Sequence, residues 1–245
     1  MADFESTLVV VPARGGSKRI PGKNIKPIFG QPMIFWPLMV LSNLVKARNL
    51  LVSTDSDAII EIVESKGLKV PFKRPKELSD DLTGTAEVTS HALSWFEKNI
   101  KPVEYVLTIY PTAVLLSESD LIAAMDSLSF DAAADSIISA TTFPFPIQRA
   151  FFKNYRGYAE MFEPANYYHR SQDLGESMHD AGQFYLSKAD AVRKGKILVN
   201  SNVKIQTIRR NKVVDIDTLE DFEVAEEKLK IHMKNSTIPD WKFIN

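Results

Sequence analysis

Fifteen residues, Pro12 to Lys26, hold five cations and three glycines: Arg14, Lys18, Arg19, Lys23 and Lys26 with Gly15, Gly16 and Gly22. They contain no acid, and no Asp or Glu occurs from Ser6 to Thr54. A glycine-rich turn can bring backbone N–H groups and cationic side chains close to a polyphosphate. A solvated basic turn is the plainer reading. The glycines, and the apolar run Leu8–Val11 that reads as a buried strand just ahead, favour phosphate. Two better-known phosphate loops are excluded. Five residues separate Gly16 from Gly22 and Asn24 follows Lys23, so the P-loop spacing fails; the dinucleotide pattern G-x-G-x-x-G is missing too.

A second chemical run, Val213 to Asp221, lies near the other end of the sequence. On a strand, Asp215 and Asp217 would face one side with Ile216 packed behind them. Two converging carboxylates make a hard oxygen site suited to Mg²⁺. The competing reading is that they only decorate a helix N-terminus, where negative charge is favourable anyway. Thr218 and Asp221 have the spacing of a capping box, so a helix starts there. The chain has no cysteine, four histidines outside any H-E-x-x-H pattern, and no G-x-S-x-G elbow. Covalent catalysis and a Cys- or His-built zinc centre are therefore not expected.

These runs need a scaffold. In the first 140 or so residues, short apolar runs alternate with helical patterns, which implies βαβ units and a mostly parallel sheet. Strands are expected at Leu8–Val11, Leu50–Ser53, Val70–Phe72, Val103–Ile109, Ser136–Thr142, Gln183–Leu186 and Val203–Ile208. Helices are expected at Met33–Ala47, Ser56–Lys66 with Gly67 as its stop, Thr85–Lys98, from Ser117, at Lys188–Lys194 and at Thr218–Ile231. Between Phe143 and Tyr168 the composition changes: nine aromatic residues, several prolines and no helical period. That segment reads as extended and hairpin-like, either a β-meander on its own core or an arm covered by a second subunit. With 44% hydrophobic residues and a net charge of −1, the chain has ample core and no global attraction to nucleic acid or anionic membrane. No apolar stretch reaches the ~20 residues of a membrane span, and the first residues lack a signal peptide's pattern, so a cytoplasmic protein is expected.

The run Pro12, Ala13, Arg14, Ser17, Lys18, Lys23, Asn24 after an N-terminal strand resembles the nucleotide loop of the cytidylyltransferases that activate sialic acids and related nonulosonic sugars. The D-I-D-T run at Asp215–Thr218 is similar to that family's metal signature. Arg74-Pro75 with Leu78 and Asp81 matches its R-P-x-x-L-x-x-D stretch. The resemblance implies an α/β, Rossmann-like fold with helices on both faces of a mostly parallel sheet and a β-rich dimerisation arm. It implies a core at 1–142 and 176–231, an arm at 143–175 and a tail at 232–245. It implies CTP and a nonulosonic acid as substrates, Mg²⁺ on Asp215 and Asp217, and a homodimer. Arg14 and Lys23 would be catalytic. Gly15, Gly16, Ser17, Lys18, Asn24, Arg74 and Thr85 would hold the nucleotide, the last two at the cytosine. Tyr110, Arg170, His179, Gln183 and Tyr185 would meet the sugar. Tyr110-Pro-Thr-Ala113 departs from the sialic acid branch. His179-Asp-Ala-Gly-Gln-Phe-Tyr185 resembles the branch that activates pseudaminic acid, from which Gly175 and Leu186 depart.

Overall fold

The computed structural model describes residues 4–195 and 202–235. Ten strands and six α-helices alternate along them. The strands are β1 (Thr7–Pro12), β2 (Pro27–Ile28), β3 (Gln31–Pro32), β4 (Leu50–Ser53), β5 (Tyr105–Ile109), β6 (Ser136–Thr142), β7 (Phe151–Lys153), β8 (Ala159–Met161), β9 (Met178–Lys188) and β10 (Val203–Thr207). The helices are α1 (Phe35–Leu41), α2 (Asp57–Glu64), α3 (Thr85–Asn99), α4 (Glu118–Ser129), α5 (Ala189–Arg193) and α6 (Leu219–Asn235).

Six strands form the central sheet in the order β10-β6-β9-β5-β1-β4. All of its pairings are parallel except the two made by β9. Leu8 to Val11 are all fully buried, as a strand covered on both faces requires. Leu8 and Val10 pack toward Ala92, Leu93 and Phe96 of α3. Val9 and Val11 pack on the opposite face, with Leu38 of α1, Ile59 and Val63 of α2 and Leu121 of α4. Helices therefore cover both faces. A third cluster joins Ile20, Trp36, Val114, Ile216, Phe222 and Leu229. It packs the glycine-rich loop and the acidic run on one small core, with Ile216 fully buried.

Three expected elements differ. Val70–Phe72 is not a strand; Phe72 lays its ring against His91 and Trp95 of α3, with centroids 5.1 and 5.2 Å away. The helix expected over Met33–Ala47 is only Phe35–Leu41; Pro37 is tolerated in its first turn, and the Ser42 hydroxyl turns back to the Met39 carbonyl at its end. Asp215 and Asp217 are not on a strand but in an irregular segment between a 3-10 turn at Arg210–Lys212 and α6.

Residues 143–177 leave the sheet after β6 and rejoin it at β9. They form the β7–β8 hairpin, closed by Asn154 and by Gly157 at φ 86°, followed by two 3-10 turns. Phe145, Phe151, Tyr155, Tyr158, Phe162, Tyr167 and Tyr168 are each at least two-thirds exposed. The rings thus build no core of their own.

Candidate nucleotide and transfer site

The C-terminal ends of β1, β4 and β5 open onto one edge of the sheet, where ligands of open α/β sheets bind. Pairing continues one step past β1, with Ala13 N–H donating to Ser53 O at 2.9 Å. At Gly15 the loop passes so close to Ser56 that an added Cβ would lie 2.8 Å from Ser56 Cβ. The Gly15 N–H donates to Asp55 Oδ1 at 2.8 Å. Gly22, at φ 63°, starts the 3-10 turn Lys23–Ile25. The buried Asn24 amide donates to Arg14 O at 2.9 Å and closes the loop on itself.

The loop cations point two ways. Arg14 donates to Asp80 O and Asp81 Oδ1, both at 2.9 Å, and Lys18 pairs with the same Asp81. Arg19 pairs with Asp217 at 2.8 Å, while Lys23 donates to Ile216 O at 2.6 Å and meets Asp217 at 3.2 Å. Two clefts result. One, about 240 Å³, is lined by Arg14, Lys23, Asn24, Arg74, Thr85 and Tyr110. The other, about 310 Å³, is lined by Arg14, Ser17, Lys18, Lys23 and Asp217. Arg14, Lys23, Asn24 and Asp81 belong to both. Arg74 is buried, and among the described residues its Nε and one terminal nitrogen have no hydrogen-bond partner. Burial pulls its pKa down, partly offset by Asp55, 3.8 Å away. The first cleft thus has unspent donors for a polar planar group, and the second has the cations a phosphate chain needs.

The acidic run closes the far wall. Asp215 accepts no hydrogen bond among the described residues. It lies at an open rim, yet walling atoms strip part of its water and push its pKa up, and the Asp217 charge adds to this. A pair of mutually repelling carboxylates beside a cation-lined cleft fits a divalent cation. No group of three or more potential ligands gathers among the described residues. Further ligands would be phosphate oxygens and water, the usual Mg²⁺ arrangement.

The third wall is β9. Its register against β6 slips between Ile138 and Ala140, so Ala181–Phe184 bulge, with Gly182 at φ 61°. A Cβ on Gly182 would lie 3.9 Å from Asp215 Oδ1. Tyr185 donates its hydroxyl to Asp180 and packs edge-on against Tyr110, centroids 5.7 Å apart. Tyr110 and Thr85 share a hydroxyl hydrogen bond of 2.8 Å. Burial, then Tyr110 and Asp180, push the Tyr185 phenol far above its ordinary pKa, so it remains a donor.

Of the residues singled out in the sequence, Arg14, Ser17, Lys18, Lys23, Asn24, Arg74, Thr85, Tyr110 and Asp217 line the joined clefts. Asp215, Tyr185 and the bulge border them. Gly16 is exposed on the loop, with open space where a Cβ would stand. Gln183 is buried and turned inward, donating to Lys212 O at 2.6 Å. His179 hydrogen-bonds Asp180 O at 2.8 Å and packs at a tilt against Phe143, centroids 4.7 Å apart, at the base of the hairpin segment. Arg170 is exposed in that segment, and its side chain makes no hydrogen bond or ion pair among the described residues. Four acids at the site had no role assigned from the sequence: Asp55, and Asp80, Asp81 and Asp180, of which Asp81 and Asp180 stand inside the motifs named above. Asp55 had a signal, being the first acid after the acid-free stretch and directly behind β4.

A family model described as cytidylyltransferase matches residues 8–235. The chain belongs to the cytidylyltransferase family. It is a CTP-dependent nucleotidyltransferase. It is 34% identical over 229 residues to the pseudaminic acid cytidylyltransferase of Campylobacter jejuni, covering 94% of this chain and 98% of that one. The CMP-N,N'-diacetyllegionaminic acid synthase of Legionella pneumophila is 23% identical, with 93% and 97% covered. Among solved structures, a CMP:2-keto-3-deoxy-manno-octonic acid synthetase complexed with CTP superposes with a TM-score of 0.65 at 17% identity, covering 94% and 99% of the two chains. That likeness establishes the shared cytidylyltransferase fold. No helix among the described residues is long and apolar enough to cross a membrane.

Proposed function

We propose that this cytidylyltransferase joins CTP to pseudaminic acid, giving the CMP-sugar and pyrophosphate. The observation that carries the reading is the pair of clefts joined through Arg14 and Lys23 and ending on Asp217. The anomeric hydroxyl attacks the α-phosphorus in line, its oxygen bonding to phosphorus as the bond to pyrophosphate breaks. Positioning and charge neutralisation dominate such transfers. The free donors of Arg74 and the hydroxyl of Thr85 take the cytosine. Gly15, Gly16, Ser17 and Lys18 carry the chain around the triphosphate, and Asn24 keeps the loop in shape. Arg14 and Lys23 offset charge developing on the α-phosphate and the leaving group. Each must exchange a carboxylate, Asp81 or Asp217, for phosphate oxygens. Asp215 and Asp217 would hold Mg²⁺, which would supply charge neutralisation at the phosphates.

On the acceptor side, Tyr110, His179 and Tyr185 shape the sugar pocket, Gln183 acts only behind it by holding Lys212 O, and Arg170 meets the sugar carboxylate across a homodimer formed by the arm. The exposed rings of 143–168 support that assembly. The protein works in the cytoplasm, where CTP is made. The 34% identity to the Campylobacter enzyme favours pseudaminic acid over legionaminic, neuraminic or octulosonic acids. Measuring kcat/KM with CTP and each of these sugar acids tests the choice. Pseudaminic acid is expected to lead; a higher value for another acid reassigns the acceptor.

A further inference from the structure

Asp180 sits where the nucleotide cleft, the acidic pair and the base of the arm meet. Tyr185, which packs on the cleft residue Tyr110, donates to one of its carboxylate oxygens. The Gly182 N–H donates to the other at 2.8 Å. Its carbonyl accepts from His179 Nδ1–H, and the His179 ring packs at a tilt against Phe143. Across the bulge, Gly182 borders Asp215. Asp180 itself is exposed, and no cation pairs with it among the described residues. This carboxylate is fixed at both oxygens, retains lone pairs toward solvent, and has no counter-ion of its own.

A sugar acid carries one carboxylate beside its anomeric hydroxyl, with hydroxyl or amide N–H groups along the rest of the molecule. A fixed carboxylate accepts from those donors and repels the sugar's own carboxylate. We propose that Asp180 is the specificity-determining residue of the acceptor pocket: it takes a hydroxyl or amide N–H of the sugar and turns the sugar's carboxylate away from the acidic wall. Tyr185 is its positioning residue. This inference rests on the transfer reading above.

The test is steady-state kinetics on full-length Asp180→Asn and Tyr185→Phe, with pseudaminic, N-acetylneuraminic and 3-deoxyoctulosonic acids as acceptors and CTP binding followed by calorimetry. The Asn variant keeps one acceptor oxygen for the Gly182 N–H, turns its amide N–H₂ to the Tyr185 hydroxyl, which can accept as well as donate, and loses the charge. Its sugar KM is expected to rise about tenfold or more, as for a lost charge-assisted hydrogen bond, with CTP affinity within about twofold of wild type. The kcat/KM ratio between the preferred and the poorer sugars should narrow. Tyr185→Phe should move the same parameters by a smaller factor. An active Asp180→Asn enzyme with unchanged sugar KM and unchanged ratio overturns the inference and leaves the transfer reading standing. Equal losses in sugar KM and CTP affinity also overturn it, because they mark a structural role. A wild type inert to every sugar acid takes down the transfer reading, and the inference with it.

Discussion

The basic loop and the acidic segment face each other across one cleft, and neither is regular structure, yet they are held in different ways. The loop is built from its own backbone. It continues the β1–β4 pairing through Ala13, turns at Gly22 with Ile25 and Lys26 N–H on the Gly22 carbonyl, and is tied by Asn24 to Arg14 O. The acidic segment is hung from distant side chains. Lys228 takes the Arg210 and Val213 carbonyls, Gln183 takes Lys212 O, and Lys23 takes Ile216 O from 193 positions away. Its capping-box Asp221 accepts the Asp217 and Thr218 N–H groups. A local scaffold announces itself through glycines and spacing. A scaffold made of remote side chains leaves no local pattern.

Lys23 joins the two scaffolds from the half-buried interior, at Ile216 O and Asp217, so removing it should have the largest effect. Lys23→Ala is expected to lower kcat by about 10²–10³-fold, roughly 3–4 kcal/mol of transition-state stabilisation. Circular dichroism should show an intact fold. A kcat within about tenfold of wild type, or ~1.4 kcal/mol, would separate Lys23 from the chemistry.

Gly15→Ala probes the loop scaffold. Its methyl has no room beside Ser56, so urea melts should show a loss of about 1–3 kcal/mol from overpacking, with weaker CTP binding. The double change Gly15→Ala, Ser56→Gly should recover most of both. Failure of that rescue would mean the close approach is not what the loop depends on.

Lys228→Met probes the other scaffold. The ammonium is partly buried, which lowers its pKa, and it holds two carbonyls at 3.1 and 2.5 Å. Its loss should cost about 1–3 kcal/mol in stability and raise the Mg²⁺ concentration for half-maximal rate. CTP binding in the presence of EDTA should barely change. A change confined to CTP binding would reverse the assignment of halves.

The smallest effect is expected at Asp81. Its hydrogen bond from Lys18, then the charges of Lys18 and Arg14, hold its pKa below the ordinary aspartate value. A depressed carboxyl contributes stability above its unfolded pKa and loses it as pH falls through the folded one. Asp81→Asn should therefore lower Tm slightly at pH 7 and leave it equal to wild type well below the unfolded value of about 3.9. A gap that widens in acid would contradict the pairing.

The sheet was legible because Leu8–Val11, Leu50–Ser53 and the other runs are short, apolar and bounded by turn residues. The loop was legible for its glycines and cations. The Thr218–Asp221 cap was legible because its two partners are three residues apart. The strand expected at Asp215 failed because period-two spacing also describes an extended segment with no neighbour to pair with. The β9 bulge was hidden because Gly182 reads as an ordinary turn residue until the β6 register is known. Asp180 needed Tyr185 to be seen folded back onto it. The exposure of the arm's rings could not be read from composition, which is the same for a covered meander and an open arm.

The proposed transfer of CMP is metal-assisted and uses one cleft region, with cations on one wall and a carboxylate pair at the other. Pyrophosphate release in Mg²⁺ buffer, with CTP alone, pseudaminic acid alone, both, and both with EDTA, tests it most directly. Release is expected only with both substrates, and is expected to be lost on chelation. Release from CTP alone at the same rate, or a rate unchanged by EDTA, would contradict it.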